Sequence, residues 1–202
     1  EELINIQFLG TGYKLLSSEY RAELARDWEE KQCKLGVGPM WADLQPEPTN
    51  GRRIRIGYLS ADFCNHPVGR FLMPIIEQTS REKFENYGIN LCPHNDDLHK
   101  KFKSHFEHWH EITNLTDTEA ARLISDLRLD CLVELGGYTN LHRPGILVHK
   151  PARIQLSYLG YCGPTYLRCI DGWIGDKFLF SNLNQTDRNS HDLHEINGGY
   201  MA

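Results

Sequence analysis

The residues best placed to do chemistry lie in Arg53–Pro74, RIRIGYLSADFCNHPVGRFLMP. An apolar run, IRIGYLS, reads as a buried strand. Asp62, Asn65 and His66 follow it, and Pro67 opens a helix. In an open α/β sheet, ligands bind at the carboxyl ends of the strands. Histidine is the side chain whose ordinary pKa lies nearest neutrality, so an imidazole at such a mouth suits proton transfer. The helix dipole disfavours an imidazolium at a helix N-terminus, which predicts a neutral ring at His66 able to accept a proton. The same position suits a histidine that merely caps the turn. Asp62 and Asn65 are likewise residue types that cap helices.

Two further apolar runs end in small or polar residues, at Gly136–Asn140 and at Gly160–Thr165. Parallel strands would place all three ends on one edge. Glycines there let backbone approach a ligand. Tyr138, Thr139, Asn140, Tyr161 and Thr165 could donate hydrogen bonds.

The elements that must position these residues follow from periodicity. Residues 53–176 alternate strand-like and helix-like segments. IRIGYLS, FENYGINLC, HEIT, DCLVEL, ARIQLSYLG and IDGWIGD read as strands, the last of the series. Helices are expected over VGRFLMPIIEQTS, broken near Pro74 or started before it, and over TEAARLISDLRL, capped by Asp117 or Thr116, with Glu119 placed as a capping-box partner for Thr116. DDLHKKFKSHFEHW reads as a helix burying Leu98, Phe102, Phe106 and Trp109. HRPGILVHK is a short helix or a loop. This rhythm predicts an α/β fold, a Rossmann-like parallel sheet with helices on both faces. Residues 1–50 form a helical lead-in and linker. A helix capped by Ser17 or Ser18 runs from about Glu19 to Leu35, presents Leu24, Trp28 and Lys31 on one stripe and stops near Gly36. Residues 51–180 form the lobe. Residues 181–202 lose periodicity and read as a tail.

Composition bounds the rest. With 40% hydrophobic and 24% charged residues, the 202-residue chain can build a true core. A net charge of −5 argues against a nucleic-acid partner. No apolar run approaches the ~18 residues of a membrane span. The opening EELINIQFLGTGY lacks the basic start of a signal peptide. The six cysteines form no C-x-x-C pair and are expected reduced, in a cytoplasmic protein, although Cys162 and Cys169 flank a turn that a disulfide could close. His105, His108 and His110 share no single helix face, so no metal ligand set is expected from them. No glycine-rich phosphate loop and no G-x-S-x-G elbow is present.

Three strings together, RIRIGYLSADFCNHPVGRFLMP, DCLVELGGYTNLHRPGILVHKPARIQLSYLGYCGPT and IDGWIGD, resemble the protein O-linked N-acetylglucosamine transferase family and its SPINDLY-type relatives. The resemblance covers about Arg53 to Asp176, with weaker similarity over residues 15–50 and at INGGYM. It implies the N-terminal lobe of a two-lobed GT-B catalytic region preceded by tetratricopeptide repeats. The reaction implied is inverting transfer of a sugar, N-acetylglucosamine first among the candidates, to Ser or Thr of a protein or peptide acceptor. The donor implied is a UDP-sugar, with no obligatory metal or other cofactor. His66 corresponds to the family's N-H-P histidine, a base or an active-site organiser. Asp62, Asn65 and Arg70, the turn of Gly137, Tyr138 and Thr139, and the turn of Leu159, Gly160 and Tyr161 would line the cleft. The residues that grip the nucleotide belong to the second lobe, so this chain alone is expected to be inactive. Two departures stand out: Arg70 replaces a usual histidine, and Cys162 a usual proline. They leave room for a different class of function, a binding or scaffold domain that kept the fold without the chemistry.

Overall fold

The computed structural model describes Gln7, residues 16–35 and 38–40, Pro48 and residues 51–200. The expected helix stop at Gly36, most of the linker and the end of INGGYM lie outside the described residues. Helix α1 (Ser18–Lys34) precedes β1 (Ile54–Ser60), α2 (Pro67–Gln78), β2 (Phe84–Asn90), α3 (Asp97–His105), β3 (His108–Glu111) and α4 (Asp117–Asp126). β4 (Cys131–Glu134), α5 (Pro144–Val148), β5 (Ile154–Ser157), β6 (Gly172–Gly175), α6 (Lys177–Ser181), α7 (Gln185–Arg188) and β7 (Asp192–Glu195) follow. The strands form one sheet in the order β3-β2-β1-β4-β5-β6-β7, and every pairing is parallel.

Side-chain alternation divides the core into two layers. On one face Leu59, Ile89 and Leu132 pack with Ala22 and Ala25 of α1, Ile124 of α4 and Ile146 of α5. On the other, Tyr58 and Val133 pack with Leu72 and Ile76 of α2 and Phe102 of α3. The Rossmann-like sheet is therefore covered on both faces, as the alternation of segments predicts.

Local chemistry sets the boundaries. α2 runs unbroken through Pro74, which is exposed, so the helix carries the proline at the loss of one backbone hydrogen bond. Both halves of the capping box at α4 form: Glu119 N–H donates to Thr116, and Glu119 accepts from the Thr116 backbone at 2.8 Å. Trp109 is a correction: α3 ends at His105, and the indole lies on β3, packed edge-on against His99. A residue on the next strand fills the place that helical spacing assigned to it.

The two flanking segments belong to the same core. On α1 the buried residues are Arg21, Ala22, Ala25 and Glu29, with Leu24 and Trp28 partly buried and Lys31 exposed. The Glu29 carboxylate accepts the backbone N–H groups of Arg168 and Cys169 at 3.0 and 2.9 Å. The tail is more than an exit: β7 pairs with β6 from Asp192 to Glu195. Its mostly exposed DLHE sequence carries no alternation by which to recognise an edge strand.

Candidate functional site

The sheet order reverses between β1 and β4, the switch point at which an open α/β sheet has its binding crevice, and the loops leaving those strands lie there. The first loop carries Asp62, Asn65 and His66. His66 is the N-cap of α2, and its Nδ1 accepts the Val68 N–H at 3.4 Å. A nitrogen that accepts from an amide carries no proton, so the neutral ring holds its hydrogen on Nε2. The side chain is 47% exposed, so the ring is accessible to a ligand. Asp62 lies between two imidazoles: Oδ1 is 3.6 Å from His66 Nδ1, and Oδ2 is 3.7 Å from His142 Nε2. His142 comes from the loop after β4. Its side chain is only 3% exposed, and its Nε2 has no hydrogen-bond partner among the described residues.

The second loop is held from beneath. Glu134 closes β4 and is buried; its Oε2 accepts Gly136 N–H at 3.1 Å and Gly137 N–H at 2.7 Å. Its Oε1 accepts the Ser157 hydroxyl from the end of β5. Gly137 has φ +54°, and a Cβ there would lie 2.6 Å from that of Tyr161. Glycine is thus required by both backbone and space. At Gly136 an added Cβ would strike the His142 ring. The third loop is pressed as closely, since a Cβ on Gly160 would overlap the Leu135 carbonyl oxygen. Leu159 is strained beside it, at φ +75°. The Tyr200 hydroxyl donates to Tyr161 O at 3.2 Å, and its backbone N–H donates to Asp176 Oδ2 at 2.8 Å. The tail thereby clamps the third loop.

The three loops converge, but the hydroxyls expected to face a ligand turn inward. Tyr138 is buried and donates to Thr165 O at 2.6 Å. Tyr161 is buried, accepts from Arg21 Nη2 at 2.9 Å and stacks edge-on against Tyr138. Thr165 is buried with its Oγ1 3.0 Å from His191 Nε2. Leu159 also packs into the core. These side chains satisfy their polar atoms inside the protein, so they give the crevice its backbone contour and no hydroxyl donors. Thr139 is half-buried and donates its hydroxyl to Gly136 O at 2.9 Å. Asn140 is exposed, and its Oδ1 accepts the Leu141 N–H at 3.0 Å. Asn65 and Arg70 are exposed and bonded to each other, Arg70 Nε donating to Asn65 Oδ1 at 2.9 Å.

Two residues of this site escape the sequence: Glu134, for which a carboxylate ending an apolar strand before Gly-Gly is a signal, and His142, which has none. All six cysteines are free, so Cys162 and Cys169 form no disulfide. His108 and His110 lie on β3, stacked along Tyr87. The described side chains that could surround a metal ion lie elsewhere, at Cys64, His94 and Asp96. Burial pushes the Cys64 thiol up to about 11, and the charges of Asp62 and Asp96 add to the effect. Burial opposes ionisation of Asp96, but the N–H groups of His99, Asn65 and Leu98 outweigh it and hold that carboxyl below its usual range.

A parallel α/β lobe with its polar loops gathered at the switch point places those loops where open α/β sheets bind their ligands. The sequence pattern of Glycosyl transferase family 41 matches residues 39–201, and the chain belongs to that family. It is 32% identical over 129 residues to the probable UDP-N-acetylglucosamine–peptide N-acetylglucosaminyltransferase SEC of Arabidopsis thaliana, covering 63% of this chain and 13% of that protein. With the SPINDLY protein of the same plant it shares 28% identity over 160 residues, 76% of this chain and 17% of that one. In three dimensions it resembles a mutant of the Thermobaculum terrenum O-GlcNAc transferase. The TM-score is 0.86 at 27% identity, over 98% of this chain and 38% of that chain. No helix of the described residues is long and apolar enough to cross a membrane.

Proposed function

We propose that this chain supplies one lobe of a cytoplasmic protein O-glycosyltransferase, the wall of the cleft that meets the acceptor hydroxyl. The donor is a UDP-sugar, N-acetylglucosamine by the names of the relatives, and the acceptor a Ser or Thr of a protein or peptide. The observation that carries the reading is the meeting of His66, Asp62 and His142 at the switch point of a family 41 lobe.

Inverting transfer needs an acceptor oxygen held opposite the leaving diphosphate, and a group near it to manage the proton. With Nδ1 committed to the helix cap, His66 works from Nε2–H as an organising donor at the open face. Asp62 lies 3.6 Å from Nδ1, on the opposite edge of that ring, so the acceptor's proton passes to water or to the departing diphosphate rather than directly to Asp62. The Gly136-Gly137 and Leu159-Gly160 turns set the contour against which the reactants lie. Charge on the departing diphosphate is met by basic groups of a second lobe. No metal or other cofactor enters these steps.

The test compares His66→Ala and His66→Asn in the two-lobed protein. Both should lower transfer to a peptide by about 10²-fold, as loss of a positioned donor does. Asn keeps the helix cap, so only Ala should also cost about 1 kcal/mol of stability. Unchanged transfer in both variants would remove His66 from the reaction and favour a binding lobe without chemistry.

A further inference from the structure

Beside the His66 loop, three side chains of different chemistry meet from two loops. Cys64 lies after β1, and His94 and Asp96 lie after β2. Their ligand atoms all fall within 4.8 Å of one another. Each is half-buried, reachable from solvent yet held in place.

We propose that Cys64, His94 and Asp96 form a binding site for a divalent transition-metal ion, Zn2+ by their chemistry. A thiolate, an imidazole and a carboxylate are the donor set that zinc takes, whereas magnesium and calcium take oxygen. The tautomer is already set. His94 Nε2 lies 2.7 Å from the Ala61 carbonyl oxygen, which can only accept, so Nε2 carries the hydrogen and Nδ1 presents its lone pair. This is how ligating histidines are oriented from behind. Asp96 is fixed by His99 N–H on Oδ1 at 2.9 Å and by Asn65 N–H on Oδ2 at 3.1 Å, and each oxygen keeps a second lone pair.

Bonds of about 2.0–2.3 Å in a tetrahedron need ligand atoms about 3.3–3.8 Å apart. Drawing the three together therefore takes small side-chain adjustments. On binding, the Cys64 S–H bond breaks, its proton goes to solvent, and a sulfur–metal bond forms. Water fills the fourth position. The two carboxylates that disfavour a thiolate at Cys64 favour a cation at the same place. Asn65 N–H rests on Asp96, and His66 N–H donates to Cys64 O at 2.7 Å. The ion would therefore tie the loop that carries Asn65 and His66 to the loop after β2. The site stands independently of the sugar-transfer reading.

The probe is Co2+ alone, titrated into the 202-residue chain under reducing conditions. The expected result is one equivalent bound, with near-ultraviolet thiolate-to-cobalt absorption, and competition by Zn2+. Cys64→Ser should abolish that absorption, and His94→Ala and Asp96→Asn should each weaken binding by about tenfold or more. Asn caps helices as Asp does, so Asp96→Asn tests the ligand with α3 intact. Cys33→Ser and Cys162→Ser should leave the signal unchanged. Absence of thiolate absorption in the wild type, or its survival in Cys64→Ser, would overturn the proposal.

Discussion

Replacing Glu134 tests the physical basis of the crevice most directly. Its carboxylate is 1% exposed and accepts three hydrogen bonds, from Gly136 N–H, Gly137 N–H and the Ser157 hydroxyl. Hydrogen bonds to a charged group are each worth about 1.5–3 kcal/mol, and a buried donor left unpaired costs about 1–3 kcal/mol. Against this, Glu134→Ala removes the several kcal/mol spent on burying the charge itself. The Ser157 hydroxyl can rotate, but the two glycine N–H groups cannot. The expected net loss is therefore about 3–5 kcal/mol. Glu134→Gln separates charge from geometry. Its amide oxygen can take both glycine N–H groups, and its NH2 can donate to Ser157 Oγ once that hydroxyl turns. It should lose only about 1–2 kcal/mol. Urea unfolding at pH 7 measures both variants. An alanine variant within 1 kcal/mol of wild type, or a glutamine variant as damaged as alanine, would refute the claim that hydrogen bonding to Glu134 holds the Gly-Gly turn.

Three other outcomes follow from the same geometry. Gly160→Ala forces a Cβ against the Leu135 carbonyl and close to Val68, so the backbone must shift. A loss of about 2–4 kcal/mol is expected in denaturant unfolding, and a neutral substitution would contradict the close approach. Burial holds the His191 imidazole at about 4, below its ordinary 6.5. Above pH 6.5 both native and unfolded forms are neutral and the contribution is fully present. Between pH 6.5 and 4 the unfolded chain takes up a proton that the native state refuses. Stability should then fall by about 1.4 kcal/mol per pH unit, about 3 kcal/mol in all, relative to His191→Gln. Parallel pH profiles for the two proteins would refute this. Finally, calorimetry of the 202-residue chain with UDP should show no micromolar binding, because the diphosphate-gripping groups are assigned to a second lobe. A micromolar Kd would contradict that division.

What the sequence determined by itself is the part of the structure governed by short range. Apolar runs such as IRIGYLS become strands because burial and period are written residue by residue. Ser17, Asp96 and Thr116 cap helices because a side-chain oxygen needs to reach only two or three residues ahead. His66 belongs with these: its neighbour Pro67 already marks the helix start. The tertiary structure decided everything that depends on which loops become neighbours. Asp62 meets His142 only because β1 and β4 lie side by side while two strands and three helices separate them along the chain. Cys64 meets His94 and Asp96 for the same kind of reason. The inward turn of Tyr138 and Tyr161 also lay beyond the sequence. A tyrosine can bury its ring and pair its hydroxyl or leave both in a cleft, and the choice rests on the distant partners Thr165 O and Arg21. The pairing of β7 depends on backbone hydrogen bonds, which every residue but proline can make and no side-chain pattern announces.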